Sequence, residues 1–89
     1  MAAFPVRLSA ANDDEATIDP FDALMGYTLR ALRMDKGVAI EELAHRVGMT
    51  PKILALYETG ELRLNAERLL GMAEALNTSV ESFYAAWNS

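Results

Sequence analysis

The stretch from Ile40 to Gly60, IEELAHRVGMTPKILALYETG, constrains this chain more than any other. It reads as two short helices joined by a tight turn. Leu43, Ala44 and Val47 recur at helical spacing and give the first helix an apolar stripe. Gly48 then supplies a backbone position that takes positive φ at little steric cost, which stops that helix. Thr50 can cap the next helix, with Pro51 at its first position, where a missing N–H costs nothing. Leu54 and Tyr57 face inward from it.

This spacing is that of a helix-turn-helix, so nucleic acid is the first partner to consider. The formal net charge of −5 argues against indiscriminate binding to a polyanion, but its distribution matters more than its sum. Residues 1–21 set Asp13, Asp14, Glu15 and Asp19 against Arg7 alone, a balance of −3. Residues 26–64 set Arg30, Arg33, Lys36, Arg46, Lys52 and Arg63 against five carboxylates, a balance of +1. A locally neutral-to-basic face on an acidic protein follows. The absence of cysteine removes disulfides and thiolate metal sites and fits a cytoplasmic protein. No apolar run approaches the roughly 20 residues that span a bilayer. The opening MAAFPVRLSAANDD lacks a basic segment followed by an apolar block, so neither a signal peptide nor a membrane partner is expected.

Taken in order, residues 1–18 show no sustained period and read as a flexible arm. An alternative is a short docking arm that uses Phe4, Val6 and Leu8. Asp19-Pro20 is a helix start, a capping carboxylate followed by proline. Phe21, Leu24, Met25, Thr28, Leu29 and Leu32 define a buried stripe, with Arg30, Arg33 and Lys36 off it and Gly37 as the stop. The second helix begins at Ala39 or Ile40, and the third spans Pro51 to Glu58. Leu62 and Leu64 form an extended apolar pair. Asn65 caps a fourth helix, Ala66 to Leu76, with Asn77 beyond its end. Ser79 caps a last helix that holds Val80, Phe83, Tyr84 and Trp87. Five helices with short joints make residues 19–89 one small all-α domain.

The ordered set of motifs resembles the phage-repressor-like helix-turn-helix family, the Cro/C1 or XRE type. It comprises Leu29-Arg30-x-Leu32-Arg33, Lys36-Gly37, Glu41-Glu42-Leu43-Ala44 and Val47-Gly48. It continues through Thr50, Leu54 and Tyr57-Glu58-x-Gly60, then Leu69-Leu70-x-Met72-Ala73-x-Ala75-Leu76 and Ser79-Val80-x-x-Phe83. From Met25 to Phe83 the likeness covers about two thirds of the chain. It implies a compact five-helix bundle of the lambda-repressor-like DNA-binding type. It also implies that the third helix lies in the major groove of double-stranded DNA, usually as part of a dimer.

The resemblance sharpens a difficulty at the reading surface. The family's second helix commonly opens with Ser-Gln; here those positions are Ala39 and Ile40. The outward positions of the third helix, often polar in the family, are Pro51, Lys52, Ile53, Ala55 and Leu56, with Thr59 just beyond. Only Lys52 of the five can donate a hydrogen bond to a base edge or phosphate. Ile53, Ala55 and Leu56 can touch thymine methyls, but they cannot make the bidentate pairs that carry most direct readout.

The expected interface is therefore Thr50, Lys52, Ile53 and Leu56 on the groove side, with Arg30, Arg33, Arg46 and Arg63 as phosphate contacts. Most have a plainer reading: Thr50 as a cap, Lys52 as a solvated lysine, Arg30 and Arg33 as helix-end cations, and Ile53 or Leu56 as a residue buried by a rotation or tilt of the bundle. His45 is the single histidine, and no carboxylate spacing around it suggests a metal. Glu41 and Glu42 point roughly 100° apart on a helix and make a poor acid/base pair. Glu42 suits a bond to backbone or a nearby arginine, and Glu58 a bond to the turn. With no catalytic triad, phosphate loop or dinucleotide fingerprint, neither an enzyme nor a cofactor is expected.

Two readings stay open. The first is a sequence-specific DNA-binding transcription regulator of the nucleoid, acting with a homodimer mate or a second transcription protein. The other is an adaptor or antirepressor that keeps the fold and uses Ile53 and Leu56 on a protein partner. Trp87 is a further candidate for a dimer or partner contact.

Overall fold

Asp19 opens the first helix, α1 (Pro20–Asp35), its carboxylate accepting the Phe21 N–H at 2.8 Å. The computed structural model describes residues 18–88, with side chains described as far as Ala85. Four more helices follow: α2 (Ile40–Val47), α3 (Pro51–Thr59), α4 (Ala66–Ala75) and α5 (Glu81–Asn88). The arm expected over residues 1–18 lies outside the described residues, apart from Ile18. The contact expected of the Trp87 side chain also lies outside them.

Local chemistry sets most of the boundaries. Thr50 Oγ1 accepts the Ile53 N–H at 3.2 Å, and Asn65 Oδ1 accepts the Arg68 N–H at 2.8 Å. Each satisfies a donor that a helix start would otherwise leave unpaired. Gly48 and Gly60 end α2 and α3 with φ of 76° and 88°, where a Cβ would be strained. The differences from expectation are small. α3 runs on to Thr59, while α4 stops at Ala75 with Leu76 as its C-cap. α5 starts at Glu81, so Val80 precedes it, and the Ser79 hydroxyl lies 3.3 Å from Ser82 Oγ.

One core gathers a side chain from every helix. Met25 and Leu29 of α1, Leu43 of α2, Leu54 of α3, Met72 of α4 and Phe83 of α5 are each 2% exposed or less. Burying side chains of this size is favourable by about 1.5–3 kcal/mol each, before conformational entropy is subtracted. The α1 stripe is buried at Met25, Thr28 and Leu29, with Leu24 and Leu32 half-buried. Thr28 is accommodated because its hydroxyl donates to the Leu24 carbonyl at 2.8 Å. Phe21, expected in that stripe, is 39% exposed. It occupies the first turn of α1, at the edge of the bundle.

α1 packs on α3 and α5, and α2 packs on α3 and α4. The α1–α3 crossing is unusually close because two glycines permit it. A Cβ on Gly26 would stand 2.3 Å from the Tyr57 carbonyl oxygen, and one on Gly60 2.7 Å from Ala23 Cα. Backbone meets backbone at both places, which fixes how far α3 stands off the bundle.

Candidate nucleic-acid interface

Helical geometry divides α3 between two duties. Leu54 and Glu58 are buried and Tyr57 is half-buried, so that side faces the bundle. Lys52, Leu56 and Thr59 follow one another at spacings of four and three along the opposite side, with Ile53 beside them. Lys52 and Thr59 are exposed, Ile53 is 39% exposed, and Leu56 is half-buried. After the Gly60 turn the Leu62 N–H donates to the Leu56 carbonyl at 3.0 Å, folding the chain back beneath the helix end. The result is a short helix with one face fixed and the other presented.

The expected arginines fare differently. Arg33 does not reach outward. Its Nε donates to Glu58 Oε2 at 2.7 Å, Nη2 to Glu58 Oε1 at 3.2 Å and Nη1 to the Val38 carbonyl at 2.9 Å. The two side chains are 12% and 6% exposed. The hydrogen bond to Glu58 raises the Arg33 pKa above the ordinary guanidinium value, ahead of the opposing effect of burial. Arg33 is therefore a structural bridge from α1 to α3 and not a phosphate contact. Glu58 is bonded to Arg33 and not, as expected, to the turn.

Arg46 is also committed. Its Nη1 donates to the Ala75 carbonyl at 2.8 Å, at the end of α4, and its Nη2 pairs with Glu42. It satisfies a helix-end carbonyl and ties α2 to α4, while its side chain stays 40% exposed. Arg63 pairs through Nε with Asp22 at 3.1 Å yet remains 70% exposed, leaving its outer N–H groups to solvent. Arg30 is exposed and makes no ion pair among the described residues. It lies one turn from both Gly26 and Arg33, which meet α3, so it borders that seam. Lys52 likewise has no ion pair among the described residues. Ala39, at the start of α2, gives no side-chain cap.

The Arg33–Glu58 pair was hidden by its separation of 25 residues. A signal was nevertheless present. Arg33 falls one turn after Leu29, and Glu58 one turn after Leu54, both core residues. Two opposite charges at inward positions require a partner, and each is the other's. Gly26 was missed altogether, because a glycine inside a helical pattern does not announce a close crossing. Among the described residues no cluster of His, Asp or Glu could hold a metal, and no helix is long and apolar enough to cross a membrane.

A family model described as Helix-turn-helix matches residues 29–83. An uncharacterized HTH-type transcriptional regulator of Rickettsia prowazekii is 31% identical over 67 residues, 75% of this chain and 52% of that protein. An uncharacterized transcriptional regulator in the ATPase CF(0) region of Rhodospirillum rubrum is 33% identical over 72 residues, covering 81% and 67%. The chain spans about half the length of the first of these curated relatives. Among solved structures, the clp gene regulator ClgR of Corynebacterium glutamicum superposes with a TM-score of 0.74 at 31% identity, covering 76% of this chain and 88% of that one. The restriction-modification controller protein C.AhdI of Aeromonas hydrophila gives 0.64 at 28% identity, covering 68% and 92%. With five helices among its described residues, its Gly48 turn and its presented third helix, the chain belongs to the Cro/C1, or XRE-type, helix-turn-helix family.

Proposed function

We propose that the chain is a small sequence-specific DNA-binding transcription regulator that lays α3 in the major groove of double-stranded DNA. The observation that carries this reading is the division of α3. One face is anchored by Leu54, Glu58 and the Gly26 crossing, while Thr50, Lys52, Ile53 and Leu56 stand at the other. Lys52 and the exposed arginines Arg30 and Arg63 supply the phosphate contacts. So few cations give modest affinity with a marked salt dependence. A dimer mate or a cooperating transcription protein supplies the remaining affinity, in the cytoplasm and on the nucleoid. No residue has a catalytic role in this reading.

A second reading is favoured by one observation: three of the arginines are already ion-paired, on a chain of net charge −5. In it the chain is an adaptor that docks Ile53 and Leu56 on a protein. Fluorescence anisotropy of the pure protein with random and promoter-derived duplexes, at low and moderate salt, separates the two. Binding at low salt that Lys52→Glu weakens supports the DNA reading. Absence of binding at low salt sinks it.

A further inference from the structure

We propose that Ile53 and Leu56 read the 5-methyl group of a pyrimidine, thymine or 5-methylcytosine, as the main base-specific contact of α3. The inference rests on the DNA-binding reading above and names what that surface recognises.

The inference follows from accounting for the polar atoms on the presented face. Thr50 Oγ1 already accepts the Ile53 N–H, which leaves its hydroxyl only one proton to donate to a phosphate or a base acceptor. Thr59 Oγ1 donates to the Leu56 carbonyl at 3.1 Å and accepts from the Glu61 N–H at 3.4 Å. Pro51 offers no donor. Beside that hydroxyl stands Lys52, a single flexible ammonium that behaves as a point charge on phosphate or guanine. The planar forks of Arg, Asn and Gln, which make most bidentate pairs with base edges, are absent from residues 50–59, so Lys52 on a guanine is the one such contact open to α3.

Apolar contact remains, and base edges in the major groove present one apolar group, the pyrimidine C5 methyl. Ile53 is well built to meet it. Its backbone is held in the first turn by the Thr50 cap, and its β-branch restricts χ1, so the exposed side chain is a stiff apolar knob. Leu56, nearly one turn on, extends the apolar surface along the helix. The nearby Lys52 charge favours a polyanionic occupant over an apolar protein groove. An isoleucine cannot distinguish the thymine O4 from the cytosine N4 amine by hydrogen bonding. The two methylated bases should therefore be accepted alike.

The test uses the full chain and a duplex enriched by it from a random pool at low salt. Each thymine is replaced in turn by deoxyuridine, and separately each T·A pair by C·G or 5-methyl-C·G. Anisotropy should show about fourfold weaker binding for each contacted methyl removed. It should also show 5-methyl-C·G bound about fourfold tighter than C·G at the same position. Ile53→Ala should remove both preferences while its melting temperature stays near that of the parent. Equal affinity for thymine and uracil at every position overturns the inference, as does Ile53→Ala that keeps the preference or changes no DNA measurement. If no duplex is enriched, the DNA-binding reading itself fails; binding without methyl preference removes only this inference.

Discussion

Arg33 on α1 and Glu58 on α3 face each other in a two-pronged ion pair, Nε to Oε2 at 2.7 Å and Nη2 to Oε1 at 3.2 Å. The third prong, Nη1 to the Val38 carbonyl, brings the α1–α2 joint into the same arrangement. Removing one partner leaves a largely buried charge unmatched. Glu58→Ala should cost about 3–5 kcal/mol in urea denaturation. The double variant Arg33→Met with Glu58→Leu should recover most of that loss. A single-variant cost under about 1 kcal/mol would mean that water reaches the pair freely. Because the folded Arg33 pKa is raised by the Glu58 carboxylate, its contribution is present through the neutral range and, on the alkaline side, fades only in strong alkali. Stability across the neutral range should therefore not titrate through this arginine.

The α1–α3 crossing predicts opposite effects for two glycines that both lie inside helices. Gly26→Ala drives a methyl into the Tyr57 carbonyl and must separate the helices. A loss of at least about 2 kcal/mol is expected, by analogy with overpacked cores. A Cβ on Gly71 would have nothing within 4 Å, so Gly71→Ala should stabilise by about 0.5–1 kcal/mol through helix propensity. Thermal melts of the two variants decide the matter, and equal signs would contradict the crossing described.

The start of α2 is improvable. Ala39 is its N-cap without a side-chain acceptor, and Glu42 stands at the third helical position. Ala39→Ser completes a capping box and should add about 0.5–2 kcal/mol. Ile40→Gln, which places a polar group beside that end but removes an isoleucine packed against the core, should tighten DNA binding while lowering the melting temperature. An unchanged anisotropy titration would argue that this helix end does not approach the duplex.

Arg63 lets a weak ion pair be separated from a ligand contact. The pair with Asp22 is open on the arginine side, so Arg63→Ala should change stability by no more than about 1 kcal/mol. If it meets a phosphate, the plot of log affinity against log salt should become shallower by about 0.9. An unchanged slope would remove Arg63 from the interface.

Much of this was legible in the chain because helix ends are written locally. Asp19-Pro20, Thr50-Pro51, Gly48 and Gly60 each fix a boundary with atoms a few residues apart. Charges were harder to place. Arg33 read as a surface cation because its partner, Glu58, sits 25 residues away; Arg46 is exposed as expected, but its bond to the Ala75 carbonyl, 29 residues away, could not be foreseen. Such bonds depend on how helices cross, and the crossing depends on Gly26, whose role is visible only once α3 lies against it. Of the α3 positions that the family resemblance sets outward, Pro51, Lys52, Ile53 and Thr59 are exposed, whereas Ala55 and Leu56 are half-buried.

The two-sided build of α3 has a consequence for how such a protein can diverge. Side chains that hold the helix in place and those that face outward occupy separate positions. Lys52 and Ile53 can then be exchanged without disturbing the Leu54 contacts or the Glu58 bridge. A descendant could acquire a new target through a handful of codon changes while inheriting an unaltered scaffold.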